Sequence, residues 1–125
     1  MKIISTPDGP TPAGHYSQAV VYGGVVYVAG QLGRDPKAPN ADLGGAAQQT
    51  KQALENVGVV LEAAGSGLRR IVQATIYVTD MRHWSEVNEA YAAVMGTHKP
   101  ARAIVPVKDF MEPYVVEIVV IAALA

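Results

Sequence analysis

The chain has 125 residues, of which 50% are hydrophobic and 17% are charged, and its formal net charge at pH 7 is −1. These values predict one folded domain rather than a disordered chain. The ten basic residues are scattered, which gives no electrostatic footprint for nucleic acid, so we do not expect nucleic acid as a partner. The absence of cysteine excludes disulfides, thiolate catalysis and cysteine-ligated zinc.

The sequence also lacks the motifs of membrane proteins, metalloproteins, serine hydrolases and nucleotide-binding proteins. Residues 1–7 contain no long apolar stretch and no segment reads as membrane-spanning, so we expect a cytoplasmic protein without a membrane partner. His15, His83 and His98 lie far apart and none belongs to a ligand pair, so no metal site is predicted. The sequence also has no GxSxG elbow, Walker loop or dinucleotide fingerprint.

The first part of the chain reads as a hairpin followed by a loop. Residues 1–5 are predicted to form a short edge strand. Strand-like runs follow over residues 17–22 and 25–29, and the Gly23-Gly24 pair between them favours a two-residue hairpin turn. Residues 30–45 are rich in turn formers, and their length suggests a functional or interface loop.

The second part alternates helices and strands. Apolar residues at helical spacing predict a helix over residues 46–64 and a second one over residues 86–95, capped by Asp80 or Ser85. A strand is predicted over residues 71–79, with one face formed by Val72, Ala74, Ile76 and Val78. Two final strands are predicted over residues 101–107 and 114–124.

This order of elements leaves part of the sheet uncovered. Two helices can cover only one face of such a sheet, yet the last predicted strand is apolar on both sides. Val116, Ile118 and Val120 form one side, while Val119 and Ile121 lie on the other. The simplest cover for the second face is another copy of the chain, so we predict a closed homo-oligomer.

Glu117 is the one charged residue in the apolar run 114–124, on the side of Val119. A carboxylate there is costly unless it is hydrogen-bonded, paired or used. Arg102 is the nearest candidate partner, and we expect the two residues on neighbouring strands. An active site with a cation and a carboxyl group and a purely structural Arg–Glu pair are equally open at this point.

Short motifs are distributed over nearly the whole chain. They are Gly14-His15-Tyr16-Ser17-Gln18-Ala19, Val28-Ala29-Gly30-Gln31-Leu32, residues 49–57, Val87-Asn88-Glu89-Ala90-Tyr91, Pro100-Ala101-Arg102-Ala103, and Glu117 in the last strand. In order and spacing they resemble the signatures of the RidA family, also called YjgF or L-PSP. The best-known activity of that family is the deamination of reactive imines and enamines.

The resemblance implies a fold, an assembly and an activity. The fold is a chorismate-mutase-like α+β single domain over residues 1–125, with a mixed sheet and two helices packed on one face. The assembly is a homotrimer with active sites at the subunit clefts. The activity is hydrolysis of 2-imino acids of the 2-aminoacrylate type to 2-keto acids and ammonia, and it needs no cofactor because a protonated imine is already a strong electrophile.

The resemblance also implies roles for individual residues. Arg102 would bind the substrate carboxylate as a bidentate fork, and Glu117 would activate water and pass a proton to the departing ammonia. Backbone N–H groups near Gly30 and Ile104 would assist Arg102, and Tyr16 would reach the cleft across the subunit interface. The substrate-binding set is completed by Gln31 and Asn88. For Tyr16, Gln31 and Asn88, a purely structural role is the alternative.

Three departures from the family pattern leave the substrate range open. Ile104 stands where many relatives carry cysteine, His15 replaces the usual proline, and Val119 replaces a frequent acidic residue. Two alternatives to deamination also remain. One is a non-catalytic trimer that binds small carboxylates for sensing or regulation, and the other is an endoribonuclease-like activity.

Overall fold

The computed structural model describes residues 1–124. Over this range the chain forms a six-stranded sheet and two α-helices, with short 3-10 turns before β4 and α2. The strands are β1 (Lys2–Ile4), β2 (Ala19–Tyr22), β3 (Val25–Leu32), β4 (Ile71–Val78), β5 (Ala101–Pro106) and β6 (Val116–Ala123); the helices are α1 (Ala46–Ala63) and α2 (Trp84–Met95). No helix within residues 1–124 has the length and apolar character needed to cross a bilayer.

The sheet has the strand order β1-β2-β3-β6-β4-β5. Strands β4 and β5 run parallel and every other neighbouring pair is antiparallel, so the predicted mixed sheet is confirmed. The turn between β2 and β3 is formed by Gly23 and Gly24, whose φ angles are 59° and 75°. Such positive angles suit glycine, and they confirm the predicted hairpin.

The helices cover one face of the sheet. Along β6, Val116, Ile118 and Val120 are buried, whereas the residues between them are only half-buried. The apolar faces of α1 and α2 pack against the buried side, with Leu54 and Val87 fully buried in the core. The alternation expected for β6 is therefore confirmed, and it places Glu117 on the face that the helices do not cover.

The uncovered face carries a row of mostly apolar side chains in register. Val20, Tyr27, Ile121 and Gln73 are successive cross-strand partners on β2, β3, β6 and β4. Tyr27 is 46% exposed in this single chain. An apolar sheet face of this extent is typical of a surface buried by another molecule.

Two predicted boundaries in the N-terminal half are wrong. β3 continues to Leu32, so Gly30 and Gln31 lie in a strand and not in a loop, because a bulge between Val28 and Gln31 resets the pairing with β6. β2 begins at Ala19 rather than at residue 17, because the Gln18 side chain bonds the backbone of Thr6 on both its N–H and C=O groups.

Two expectations in the C-terminal half also need correction. Val72 is 52% exposed instead of sharing the face of the buried Ala74, since the register shifts between Ile71 and Gln73 and Ile71 takes the buried position. The second helix begins at Trp84, so Ser85 lies inside it and does not cap it. Asp80 instead caps the preceding 3-10 turn, where its carboxylate accepts from the N–H of Arg82 at 2.9 Å.

The expectation that Arg102 and Glu117 lie on neighbouring strands is wrong. Arg102 is on β5 and Glu117 is on β6, and β4 lies between these two strands. The sequence places their runs next to each other along the chain, but the 107–115 connection crosses β4 before the chain re-enters the sheet. Sequence proximity was therefore a poor guide to strand adjacency here.

Candidate active site

Arg102 lies on the edge strand β5, on the face that is covered by the helices. Its cross-strand partner is Ala74, which is fully buried under the helices. The guanidinium Nη1 donates to Oδ1 of Asn88 at 3.0 Å, and the guanidinium carbon lies 4.8 Å from the ring centroid of Tyr91. Within residues 1–124, Arg102 makes no salt bridge. It is thus a cation that is oriented by neutral groups and keeps free donors.

A cavity of about 490 Å³ opens beside Arg102, at the C-terminal end of α2. Volumes of this order are typical of small-molecule sites. Asn88 and Tyr91 contribute to its wall together with the turn that leads into β5, and no Asp or Glu lines it. The lining residues are Asn88, Tyr91, Ala92, Met95, Gly96, His98, Lys99, Pro100 and Arg102. The electrostatic character of this cavity suits an anion.

Glu117 lies on the opposite face of the sheet and is half-buried. Burial raises the pKa of its carboxyl group above the ordinary value of 4.5, because the charged form loses hydration. Within residues 1–124 no salt bridge offsets this effect. A half-buried carboxyl group with a raised pKa exchanges protons closer to neutral pH, as general acid–base catalysis requires.

Gly30 makes room for the Glu117 side chain. A Cβ atom at residue 30 would lie 2.8 Å from Cδ and 2.9 Å from Oε1 of Glu117, so only glycine fits without a displacement. Gly30 also lines a cavity of about 350 Å³ together with Tyr16 and Gln31. The structure therefore places Gly30 against Glu117, and it places Gly30, Tyr16 and Gln31 around one cavity.

Tyr16 and Gln31 differ in how they are held. Tyr16 is 52% exposed, and its hydroxyl accepts from the N–H of Ala13 at 3.1 Å. Gln31 is buried, its amide nitrogen donates to the carbonyl of Ala29 at 3.2 Å, and its Oε1 has no hydrogen-bond partner within the described chain. The bond to Ala29 is the backbone contact that a structural role would require.

The predicted residues thus form two groups within one chain. Arg102 and Asn88 lie at the cavity beside α2, and Glu117 lies with Gly30 across the sheet. Two strand spacings separate β5 from β6, which is about 10 Å, and the two side chains leave the sheet on opposite faces. The structural Arg–Glu pair left open by the sequence does not form within residues 1–124.

Ile104 belongs to neither group. It lies two residues beyond Arg102 on the same face of β5, and its partly buried side chain packs against the core. It is absent from the residues that line the cavity beside Arg102. The side chain at this position therefore contributes to packing in the single chain.

Sequence reasoning missed Trp84 and the role of Tyr91. Tyr91 is part of a motif but was not among the predicted site residues, and Trp84 lies outside the helix predicted over residues 86–95. In the structure the Trp84 ring centroid lies 6.0 Å from the Arg102 guanidinium carbon. The spacing of Trp84, Asn88 and Tyr91, at i, i+4 and i+7, was a signal for one helix face that the sequence contained. Within residues 1–124, no group of His, Asp or Glu residues could hold a metal ion.

The fold and these residues define a class of protein: small α+β domains with one uncovered sheet face and an arginine on an edge strand that lines an open cavity. The chain belongs to the RidA/YjgF/L-PSP family, because the family described as Endoribonuclease L-PSP matches residues 6–124. This finding confirms the resemblance based on the motifs and the α+β fold that it implied.

Relatives of known sequence and structure extend the comparison. The chain is 40% identical to a RutC family protein of Pyrococcus horikoshii, over 97% of this chain and 96% of that protein. It is 41% identical to the 2-iminobutanoate/2-iminopropanoate deaminase of Bos taurus, over 97% and 88%. The crystal structure of Escherichia coli TdcF with bound serine superposes with a TM-score of 0.92 at 30% identity, and the match covers 100% of both chains.

Proposed function

We propose that this protein is an enamine/imine deaminase that hydrolyses reactive 2-imino acids of the 2-aminoacrylate type to 2-keto acids and ammonia without a cofactor. The observation that carries the proposal is Arg102, a cation without a carboxylate partner in residues 1–124 that faces an open cavity. A planar guanidinium binds a carboxylate through two parallel hydrogen bonds. The deaminase name of the Bos taurus relative, at 41% identity, supports the same chemistry.

The geometry of one chain supports a site that is completed between copies. Arg102 and Glu117 leave opposite faces of the sheet, so one chain cannot direct both groups at one substrate. In a homotrimer, Arg102 of one subunit would face Glu117, Gly30 and Tyr16 of the next. The apolar row through Tyr27 and Ile121 supplies a surface for such an assembly.

The proposed reaction needs one base and one acid in sequence. Water adds to the carbon of the protonated imine, and Glu117 accepts a proton from that water, which leaves a carbinolamine. Glu117 then returns the proton to the nitrogen, and the C–N bond breaks to release ammonia. The hydroxyl group becomes the keto oxygen as its proton passes through the Glu117 carboxylate to the ammonia. The overall change is iminium plus water to keto acid plus ammonium.

The surroundings of Glu117 support this double role. Burial raises its pKa, so the protonated form is easier to reach in the second step than for an exposed carboxyl group. Arg102 contributes binding and orientation, because it fixes the carboxylate and thereby the reacting carbon next to it.

The test is release of keto acid and ammonia from imines generated in situ by an amino-acid oxidase. Wild-type protein should accelerate release, and Arg102→Ala should lower kcat/KM by roughly 30- to 1,000-fold, the loss expected for one charged bidentate contact. Arg82→Ala is the matched control, since that arginine is 79% exposed and pairs with Asp80. Equal rates for wild type and Arg102→Ala would refute the assignment.

A second candidate is a trimeric protein that binds small carboxylates without turnover. The structure of TdcF with bound serine favours it, because an amino acid carries the same carboxylate as an imino acid. Saturable binding of 2-oxobutanoate without accelerated imine hydrolysis would select this candidate. The proposal includes no nucleic-acid substrate, because the net charge is −1 and the basic residues are scattered.

A further inference from the structure

One face of α2 contacts the side chain of Arg102. Trp84, Asn88 and Tyr91 follow each other at spacings of four and three residues, which places them on one side of the helix. Asn88 accepts from Nη1 at 3.0 Å, and the two aromatic ring centroids lie 6.0 Å and 4.8 Å from the guanidinium carbon. The guanidinium therefore has one hydrogen-bond acceptor and two aromatic faces around it.

The three partners of Arg102 have no charge. An Asp at position 88 would also accept a hydrogen bond, but it would neutralise the guanidinium and compete with an anionic ligand. The chain uses such a pair elsewhere, where Arg82 Nε lies 3.6 Å from Oδ2 of Asp80 at the surface. A neutral acceptor orients the arginine while its charge stays available.

Tyr91 combines burial with proximity to the cation. The residue is only 6% exposed, and its hydroxyl oxygen has no hydrogen-bond partner within residues 1–124. Burial raises the pKa of this hydroxyl, whereas Arg102 acts to lower it. A buried hydroxyl without a partner costs stability, so hydrogen bonding does not account for Tyr91. The contact of its ring face with the Arg102 guanidinium is the interaction that accounts for Tyr91 at this position.

We propose that Trp84, Asn88 and Tyr91 form an uncharged cradle that sets the orientation of the Arg102 guanidinium for a carboxylate. Asn88, expected as a substrate-contacting residue, acts in this arrangement through Arg102. All three are positioning residues. The inference rests on the proposed function for the identity of the substrate, but its central claim concerns carboxylate binding and can be measured without turnover.

The experiment measures binding of 2-oxobutanoate, a keto acid that cannot undergo deamination. The chain has a single tryptophan, so the fluorescence of Trp84 reports events beside Arg102 directly. Isothermal titration calorimetry gives the same Kd independently of fluorescence. KM and kcat with an imine generated in situ are measured alongside, and circular dichroism confirms that each variant is folded.

Asn88→Asp is the most informative variant. It retains an acceptor for Arg102 but adds a negative charge, so Kd at pH 7.5 should rise about 30-fold or more. Ala93→Asp is the control, because residue 93 is exposed on the opposite side of α2 and should leave Kd within about twofold. Equal effects of the two substitutions would overturn the proposal.

Two substitutions at Tyr91 distinguish the contribution of its ring from that of its hydroxyl group. Tyr91→Phe should keep Kd and KM within about twofold, while Tyr91→Leu should raise both about 5- to 20-fold with a smaller change in kcat. Equal damage by both substitutions would show that the ring is not the relevant part and would overturn the cradle. If this binding pattern appears in a protein that shows no imine turnover, the cradle stands and the deaminase assignment fails.

Discussion

A Cβ atom on Gly30 would lie 2.8 Å from the carboxyl carbon of Glu117, so the glycine on β3 determines where the acid on β6 can lie. Real Cβ atoms do not make contacts this short, and any larger residue at position 30 must displace the Glu117 side chain. The position of the proposed acid–base group is therefore set by the absence of a side chain on the neighbouring strand.

We expect Gly30→Ala to lower kcat by about 10- to 100-fold, because misplacing an acid–base group by about 1 Å has effects of this size. Steady-state kinetics with an imine generated in situ would measure it. Gly67→Ala is the control, since a Cβ atom at residue 67 meets nothing within 4 Å. Unchanged kcat in a folded Gly30→Ala protein would show that the position of Glu117 does not matter for the reaction.

Glu117→Gln should change the pH dependence of stability. The pKa of Glu117 is raised in the folded protein, so ionisation costs more there than in the unfolded chain. This destabilisation is absent at pH values below the pKa of Glu117 in the unfolded chain, and it is complete above the pKa of Glu117 in the folded protein. The variant should therefore exceed wild type in Tm by about 1–3 °C at pH 7.5, and the difference should vanish toward pH 4.

Differential scanning calorimetry over this pH range would measure the effect. Glu55→Gln serves as the control, because Glu55 is exposed on α1 and its replacement should change Tm only slightly. A Tm difference for Glu117→Gln that grows as the pH falls would contradict the direction assigned to the pKa.

Mixed assemblies test whether the site lies between copies. Arg102→Ala and Glu117→Gln are each expected to lose most of their activity. Trimers that contain both variants should regain about a third of wild-type activity if each site takes its arginine and its carboxyl group from different subunits, because one of the three sites is then intact. Co-expression with two affinity tags and tandem purification would supply the mixture. No recovery would place both groups of a working site in one chain.

The uncovered sheet face should be required for assembly. Ile121 pairs with Tyr27 and Gln73 on that face, so Ile121→Glu would introduce a charge into a buried interface and should give a monomer with imine turnover reduced at least about 100-fold. Size-exclusion chromatography with light scattering measures the mass. Ala93→Glu, on the exposed side of α2, should assemble normally. Assembly of Ile121→Glu at the wild-type mass would remove this face from the interface.

The sequence predicted the elements well wherever apolar periodicity was strong. The Gly23-Gly24 hairpin, α1 and the two-sided pattern of β6 could all be read from local residue types. The bulges could not, because a register shift such as the one between Ile71 and Gln73 depends on pairing with a distant strand. This is why Val72 was assigned to the wrong face.

The site was predictable as a set of residues but not as an arrangement. Lone polar residues in apolar runs, above all Glu117, pointed to the candidates. Local patterns do not encode strand order, so the placement of β4 between Arg102 and Glu117 could only come from the fold. The contact of Trp84 with Arg102 was not predicted, because the helix that contains Trp84 begins earlier than the capping signals suggested.

The bulge in β3 divides that strand into one stretch that packs in the core and another that lines a cavity. Val26 and Val28 are buried in the hydrophobic core, whereas Gly30 lies within the irregularity and Gln31 follows it, and both line the cavity beside Tyr16. The alternation of inward and outward positions restarts at this point. Substitutions at the cavity-lining end of β3 could thus change the shape of the cavity, while the other end of the strand continues to hold the sheet together.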